Sequence, residues 1–261
     1  MSQERDGTDL ALDDDEREFL RRCTNDPDGV DPDEIFALLD AEAEEDRRLG
    51  GRALTQFARA APRRLESETD RIVTDLDSPD DEVRGSAIIA VQELVETDPE
   101  MFAEPPVEPL IDRLGAEDQQ GSKRVARTLA ELLDAADPRL IEAVDAGVEH
   151  FGGAKHEAGS AIQALSVLGA TYPDPVIDRL TDRLGDDDPD VRRYAVRTLA
   201  TLAEDNPGRV SRATADLLAL LDADDDYTLE HTLSALADVA ARDPGALETA
   251  VPALADLVDA D

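Results

Sequence analysis

The sequence predicts an all-α chain built from stacked helix pairs, and three observations predict it. Leu, Val, Ile and Ala recur at helical spacing along nearly the whole of the 261 residues. One apolar pattern returns at Leu49, Val83, Gly121, Ala154, Val191 and Thr228, at intervals of 33 to 38 residues. A proline follows each return, at Pro62, Pro99, Pro138, Pro173, Pro207 and Pro244. Proline lacks a backbone donor and clashes with the preceding turn, so it separates one pair from the next.

The elements follow in order. Asp13-Asp14-Asp15-Glu16 places carboxylates at the positive end of a short helix through Phe19 and Leu20. Residues 1–28 are therefore expected to form an acidic arm carrying this helix, disordered over 1–12, and residues 29–261 the repeat region. Asp31-Pro32-Asp33-Glu34 opens the first helix of the first pair, with a capping aspartate, proline in the first position and a carboxylate in the third. In every pair the second helix, B, starts near the anchor and buries the residues 4, 5, 8 and 11 positions later. These are Ala53, Leu54, Phe57 and Ala60 after Leu49, and Ala87, Ile88, Val91 and Leu94 after Val83. Val125, Ala126, Leu129 and Leu132 follow Gly121; Ala158, Gly159, Ile162 and Leu165 follow Ala154. Ala195, Val196, Leu199 and Leu202 follow Val191; Thr232, Leu233, Leu236 and Val239 follow Thr228. The first helix, A, is marked by apolar pairs four apart: Ile72 and Leu76, Leu110 and Leu114, Leu180 and Leu184, Leu217 and Leu221. Thr249–Val258, with Val251, Leu254 and Val258 on one face, reads as a terminal A helix that covers the last apolar surface.

Charge narrows the class. There are 40 Asp and 23 Glu against 24 Arg and 2 Lys, a formal net charge of −37. Such a charge signals disorder when few apolar residues accompany it, but 41% hydrophobic content at helical spacing excludes that reading. A strongly negative chain repels a phosphate backbone, so nucleic acid is a disfavoured partner. A single cysteine, Cys23, excludes an internal disulfide and a cysteine zinc cluster. No run of 18 apolar residues crosses a membrane and no apolar signal core opens the chain, so a cytoplasmic protein is expected. The excess of Asp, the replacement of Lys by Arg and an aromatic content of 3% resemble proteins of salt-in halophiles. In about 1 M salt the screening length is roughly 3 Å, which removes most self-repulsion.

Two turns carry a family resemblance. "SPDDEVRGSAIIAV" (78–91) and "DDPDVRRYAVRTLA" (187–200) resemble the Asp-x-x-Val-Arg turn of HEAT repeats, especially the short phycobilisome-lyase type. The resemblance spans roughly residues 30–261. It implies a right-handed α-α superhelix, a HEAT/armadillo-like solenoid of about six helix pairs plus a C-terminal capping helix, with the B helices lining the concave side. It also implies that the turn arginines Arg84 and Arg192 brace neighbouring turns, with Lys155 as a substitute and with no match at Gly50, Ser122 or Leu229.

The B segments 47–61, 83–95, 121–133, 154–168, 191–203 and 228–240 together carry +7, leaving −44 for the rest of the chain. Arg48, Arg52, Arg59, Arg124, Arg127, Arg193 and Arg197 point away from the apolar stripe of their helices. Two readings stay open. The arginines pair with acidic turns, or they line a groove that holds an acidic protein or peptide, because guanidinium binds carboxylate in a bidentate manner. The leading expectation is a non-enzymatic scaffold with no cofactor. The rivals are a lyase-like or base-repair-like enzyme on the same scaffold, and a nucleic-acid-binding module.

Other chemistry is weakly signalled. Asp222, Asp224 and Asp226 have the spacing of a calcium loop, but Tyr227 stands where glycine is needed and Leu233 where a bidentate glutamate is needed. His150 and His156 lie six apart, which is not a helical metal pair. No Ser-His-Asp spacing, P-loop or dinucleotide fingerprint is present, so no catalytic or metal-binding residue is assigned.

Overall fold

The computed structural model describes residues 12–223, 225–245 and 247. Among these residues every regular element is helical and none is a strand. The expected terminal helix at Thr249–Val258 and, but for its last residue, the stretch 1–12 expected to be disordered fall outside the described residues. The chain divides into two compact units, Met1–Ala103 and Glu104–Asp261.

The first unit holds α1 (Asp14–Asn25), α2 (Pro32–Leu39), α3 (Glu44–Ala60), α4 (Thr69–Asp75) and α5 (Asp81–Thr97). Asp13 caps α1 in a complete capping box with Glu16, so the acids at the start of this helix satisfy orphan backbone donors. The helix packs on α3 and buries Leu20 and Cys23. Pairs then follow as predicted. α2 leads into α3, and a 3-10 stretch (Pro62–Glu68) with α4 leads into α5. The B helices α3 and α5 lie against each other.

The second unit holds four pairs. The A helices are α6 (Val107–Arg113), α8 (Pro138–Glu149), α10 (Pro173–Asp182), and α12 (Pro207–Val210) continued through a 3-10 turn by α13 (Thr214–Ala219). The B helices are α7 (Gln119–Leu132), α9 (Lys155–Thr171), α11 (Pro189–Asp205) and α14 (Asp226–Arg242). Within this unit α7 packs on α9, α9 on α11 and α11 on α14, while α6, α8, α10 and α12 form the other layer. The breakers act as starters as well. Pro138, Pro173 and Pro207 each occupy the first position of an A helix, where a missing N–H costs nothing.

Most of the core is the apolar set that the periodicity names, but Leu233, expected in it, is exposed. Ile72, Leu76, Leu110, Leu114, Leu180, Leu184, Leu217 and Leu221 are all buried. Each such side chain contributes roughly 1.5–3 kcal/mol of burial. Tyr172 ends α9, and its hydroxyl lies 3.0 and 2.5 Å from the carbonyl oxygens of Ala130 and Leu133, closing the C-terminal end of α7.

The B register differs from the sequence reading in two helices. Arg84 Nη1 donates to the carbonyl of Ser78, and Arg192 Nη1 to those of Asp186 and Asp187. Arg47 makes the same clasp, donating to the carbonyls of Ala41 and Glu42 at 3.0 and 2.7 Å. All three arginines stand four residues after their helix caps, Ala43, Asp80 and Asp188. The first anchor is therefore Asp46, not Leu49, and Ala60, expected in the core, is exposed. Gly50 does another job. A Cβ there would lie 2.8 Å from the Leu39 backbone nitrogen, so the missing side chain lets α3 close on α2. In α9 the cap is Ala154, which moves the anchor to Glu157 and the core to Ala161, Ile162, Leu165 and Leu168. Lys155 is the first residue of α9 and does not reach the clasp position, which Ala158 occupies.

Candidate functional site

The arginines divide by layer. A-layer arginines reach back to the preceding A helix: Arg71 to Asp40 (2.5 Å), Arg139 to Glu108 (3.8 Å), Arg179 to Asp145 (3.0 Å) and Arg212 to Asp174 (2.7 Å). B-layer arginines reach forward to the next B helix: Arg47 to Asp80 (2.6 Å), Arg59 to Glu93 (3.1 Å) and Arg193 to Asp225 (3.4 Å). The A-layer pairs were not foreseen from sequence. Their signal is an acid one repeat upstream of each arginine.

Asp80 and Asp225 are both helix caps. Burial alone raises the pKa of each, but hydrogen bonds outweigh it: Arg47 with the Val83 and Glu82 amides for Asp80, and Thr228 with Arg193 for Asp225. Both carboxyls end below the usual aspartate value. Asp75 runs the other way. Burial raises its pKa against the pull of Arg71, and its Oδ2 is buried with no hydrogen-bond partner.

The seven arginines expected to line a groove meet different fates. Arg48 pairs within its own helix with Glu44 (2.8 Å), and Arg59 with Glu93. Arg193 lies between Asp190 (3.0 Å) and Asp225 and stacks over the Tyr227 ring at 5.4 Å. Arg197 Nη1 donates to the Tyr227 hydroxyl at 3.0 Å. His231 meets the same ring edge-on, 4.5 Å between centroids. Arg52 and Arg124 are half-buried on α3 and α7, and each is engaged with neighbours. Arg127 is exposed on α7. Among the described residues Lys123, Arg127 and Arg197 have no carboxylate partner.

The first turns change the charge balance. Glu44, Glu45, Asp46, Asp81, Glu82, Asp190 and Asp226 belong to the observed B helices and lay outside the segments summed from sequence. Over their observed lengths α3, α5, α7, α9, α11 and α14 carry +1, −3, +2, 0, 0 and −2, close to neutral. Positive charge belongs to the middle of the B face, not to whole helices.

That face carries a trough of about 300 Å³ in the second unit. Gln163, Ser166, Val167 and Ala170 of α9 form its floor. Lys123 of α7 stands on one side and Thr201 and Asp205 of α11 on the other. The floor is made of small and uncharged side chains, so an extended segment can lie in it with amide and hydroxyl groups in reach.

Reactive chemistry is poorly furnished. Cys23 is buried, which pushes its thiol up to about 11 and leaves it protonated at neutral pH. His156 is exposed, and His150 packs against the turn at Gly115. Among the described residues no group of three His, Cys, Asp or Glu could hold a metal ion, and no helix is long and apolar enough to cross a membrane.

Residues 154–237 match the family of HEAT repeats. No curated protein matches the chain. An engineered protein of known structure is 20% identical with a TM-score of 0.50, aligned over 94% of this chain and 69% of its own. A chain from the structure of Kap95p binding to RanGDP is 15% identical with a TM-score of 0.55, aligned over 92% of this chain and 33% of its own. The present chain thus spans about a third of that relative. At these identities the likeness is one of fold: an all-α, HEAT/armadillo-like repeat solenoid.

Proposed function

We propose that the chain is a non-enzymatic scaffold that holds an acidic protein segment on its B face, in a salt-rich cytoplasm. One observation carries this reading. The trough over α9 is lined by one cation, Lys123 of α7, and Arg127 is exposed one turn further along that helix; neither has a carboxylate partner among the described residues, in a chain with 63 acidic side chains. Such a chain has acids to spare for neutralising every cation, and most arginines are neutralised. Cations left open beside a trough are positioned for carboxylates from elsewhere. Close guanidinium–carboxylate contacts also persist where salt screens long-range attraction.

The test is fluorescence anisotropy with a labelled oligo-glutamate peptide, in KCl concentrations at which circular dichroism shows the fold intact. Lys123→Glu with Arg127→Glu should weaken binding at least about tenfold, the equivalent of about 1.4 kcal/mol. Helix content should stay at the wild-type level. Equal binding by wild type and variant would overturn the reading.

A further inference from the structure

Aligning the six B helices on their observed caps exposes an alternation. Count from the anchors Asp46, Val83, Gly121, Glu157, Val191 and Thr228. Five positions into each helix proper, two past the anchor, stand Arg48, Gly85, Lys123, Gly159, Arg193 and Glu230. One turn further along stand Arg52, Ile89, Arg127, Gln163, Arg197 and Ser234. The first, third and fifth helices carry a cation at both positions, and the second, fourth and sixth carry none. Cations are 26 of 261 residues, so six hits in six places and no hit in the other six is a built pattern. It is invisible until α3 and α9 are placed in their true register.

The second unit shows what the alternation does. Lys123 and Arg127 form one cationic ridge on α7; on α11 Arg197, bonded to the Tyr227 hydroxyl, is the cation without a carboxylate partner, beside Arg193, which Asp190 and Asp225 already hold. Between them α9 presents Gly159 and Gln163; the trough is lined by Lys123 and Gln163 and runs on along α9 and α11 past Ser166, Ala170, Thr201 and Asp205. We infer that the B face selects an extended acidic peptide whose carboxylates come in two clusters set two repeats apart. This rests on the acidic-segment reading above and gives it a length scale. Packed helices lie about 8–10 Å apart, so α7 and α11 are separated by roughly 16–20 Å. An extended chain advances about 3.3 Å per residue. The two clusters should therefore sit about five or six residues apart, with small or neutral residues between them over α9. The strip is a poor match for nucleic acid, whose evenly spaced phosphates would meet no cation along α9.

The probes are labelled peptides of equal composition, each with two Asp-Asp pairs separated by two, five or eight Ser and Gly residues. Anisotropy is read with the full chain in KCl that preserves the fold. The five-residue spacer should bind at least about fivefold more tightly than the others, and Arg127→Gln with Arg197→Gln should abolish the preference. Gln163→Arg puts a cation on the middle helix and should move the optimum to the two-residue spacer. Equal binding of all three peptides would overturn the spacing while leaving the acidic-segment reading intact. Binding of none would overturn both. Tighter binding of a single-stranded oligonucleotide than of any peptide would show that the strip reads phosphate instead.

Discussion

Replacing Arg47 tests the register on which the B-face arrangement depends. Its guanidinium donates to Asp80 Oδ2 and to the carbonyls of Ala41 and Glu42, and its side chain is 24% exposed, like that of Asp80. A hydrogen bond to a charged group contributes about 1.5–3 kcal/mol when well shielded. Partial exposure and the remaining caps on Asp80, from the Glu82 and Val83 amides, reduce the total to roughly 2–3 kcal/mol for the three bonds together. Arg47→Met keeps the alkyl stem and removes only the donors. Arg59→Ala is the control, because the Arg59 side chain is 50% exposed and its pair with Glu93 should contribute about 0–1 kcal/mol. Hydrogen exchange read by mass spectrometry, on peptides covering residues 41–60, isolates this region from the second unit. The expected outcome is faster exchange throughout α3 in Arg47→Met and near-native exchange in Arg59→Ala. Similar small effects for both variants would show that Arg47 is an ordinary surface arginine and that the register is misplaced.

Three further outcomes are expected. Dialysis from 3 M to 50 mM KCl should lower the helical signal at 222 nm, since the net charge of −37 is then unscreened; an unchanged spectrum would refute salt adaptation. Gly115 has φ +84°, and a Cβ there would lie 2.5 Å from the His150 ring, so Gly115→Ala should cost about 2 kcal/mol or more, read by urea unfolding through the fluorescence of Tyr172, Tyr194 and Tyr227. The pKa of His231 is lowered by burial and by Arg197, against the opposite pull of Glu230. The unfolded chain therefore takes up a proton before the folded one, stability falls as pH drops below about 6.5, and His231→Gln should flatten that part of the Tm-against-pH curve.

Much of the architecture is legible in the sequence because burial enforces a period. The A-helix leucines four apart are all in the core, and Pro138, Pro173 and Pro207 each open the next pair. The register of α3 and α9 is not legible from apolar residues. A helix shifted by three still overlays its own stripe: Leu54 and Phe57 fit either frame, as do Ile162 and Leu165. Only a polar act, the clasp of Arg47 on two carbonyls, separates the frames, and it depends on a turn geometry that composition does not encode. The cationic face was read as a continuous stripe for the same reason. Arg59 and Arg193 meet acids of the following repeat that no single-helix projection can bring near.

The opposed reach of the two arginine layers gives the stack a grain, as overlapping shingles have. A pair that carries both donors, as α10 with α11 does in Arg179 and Arg193, brings its own straps with it when it is moved whole between neighbours of the same unit. Half a pair leaves one strap without a buckle. Growth or shrinkage of such a chain by entire pairs therefore disturbs its joints least, whereas the same number of residues added within a turn would shift every later strap off its mark.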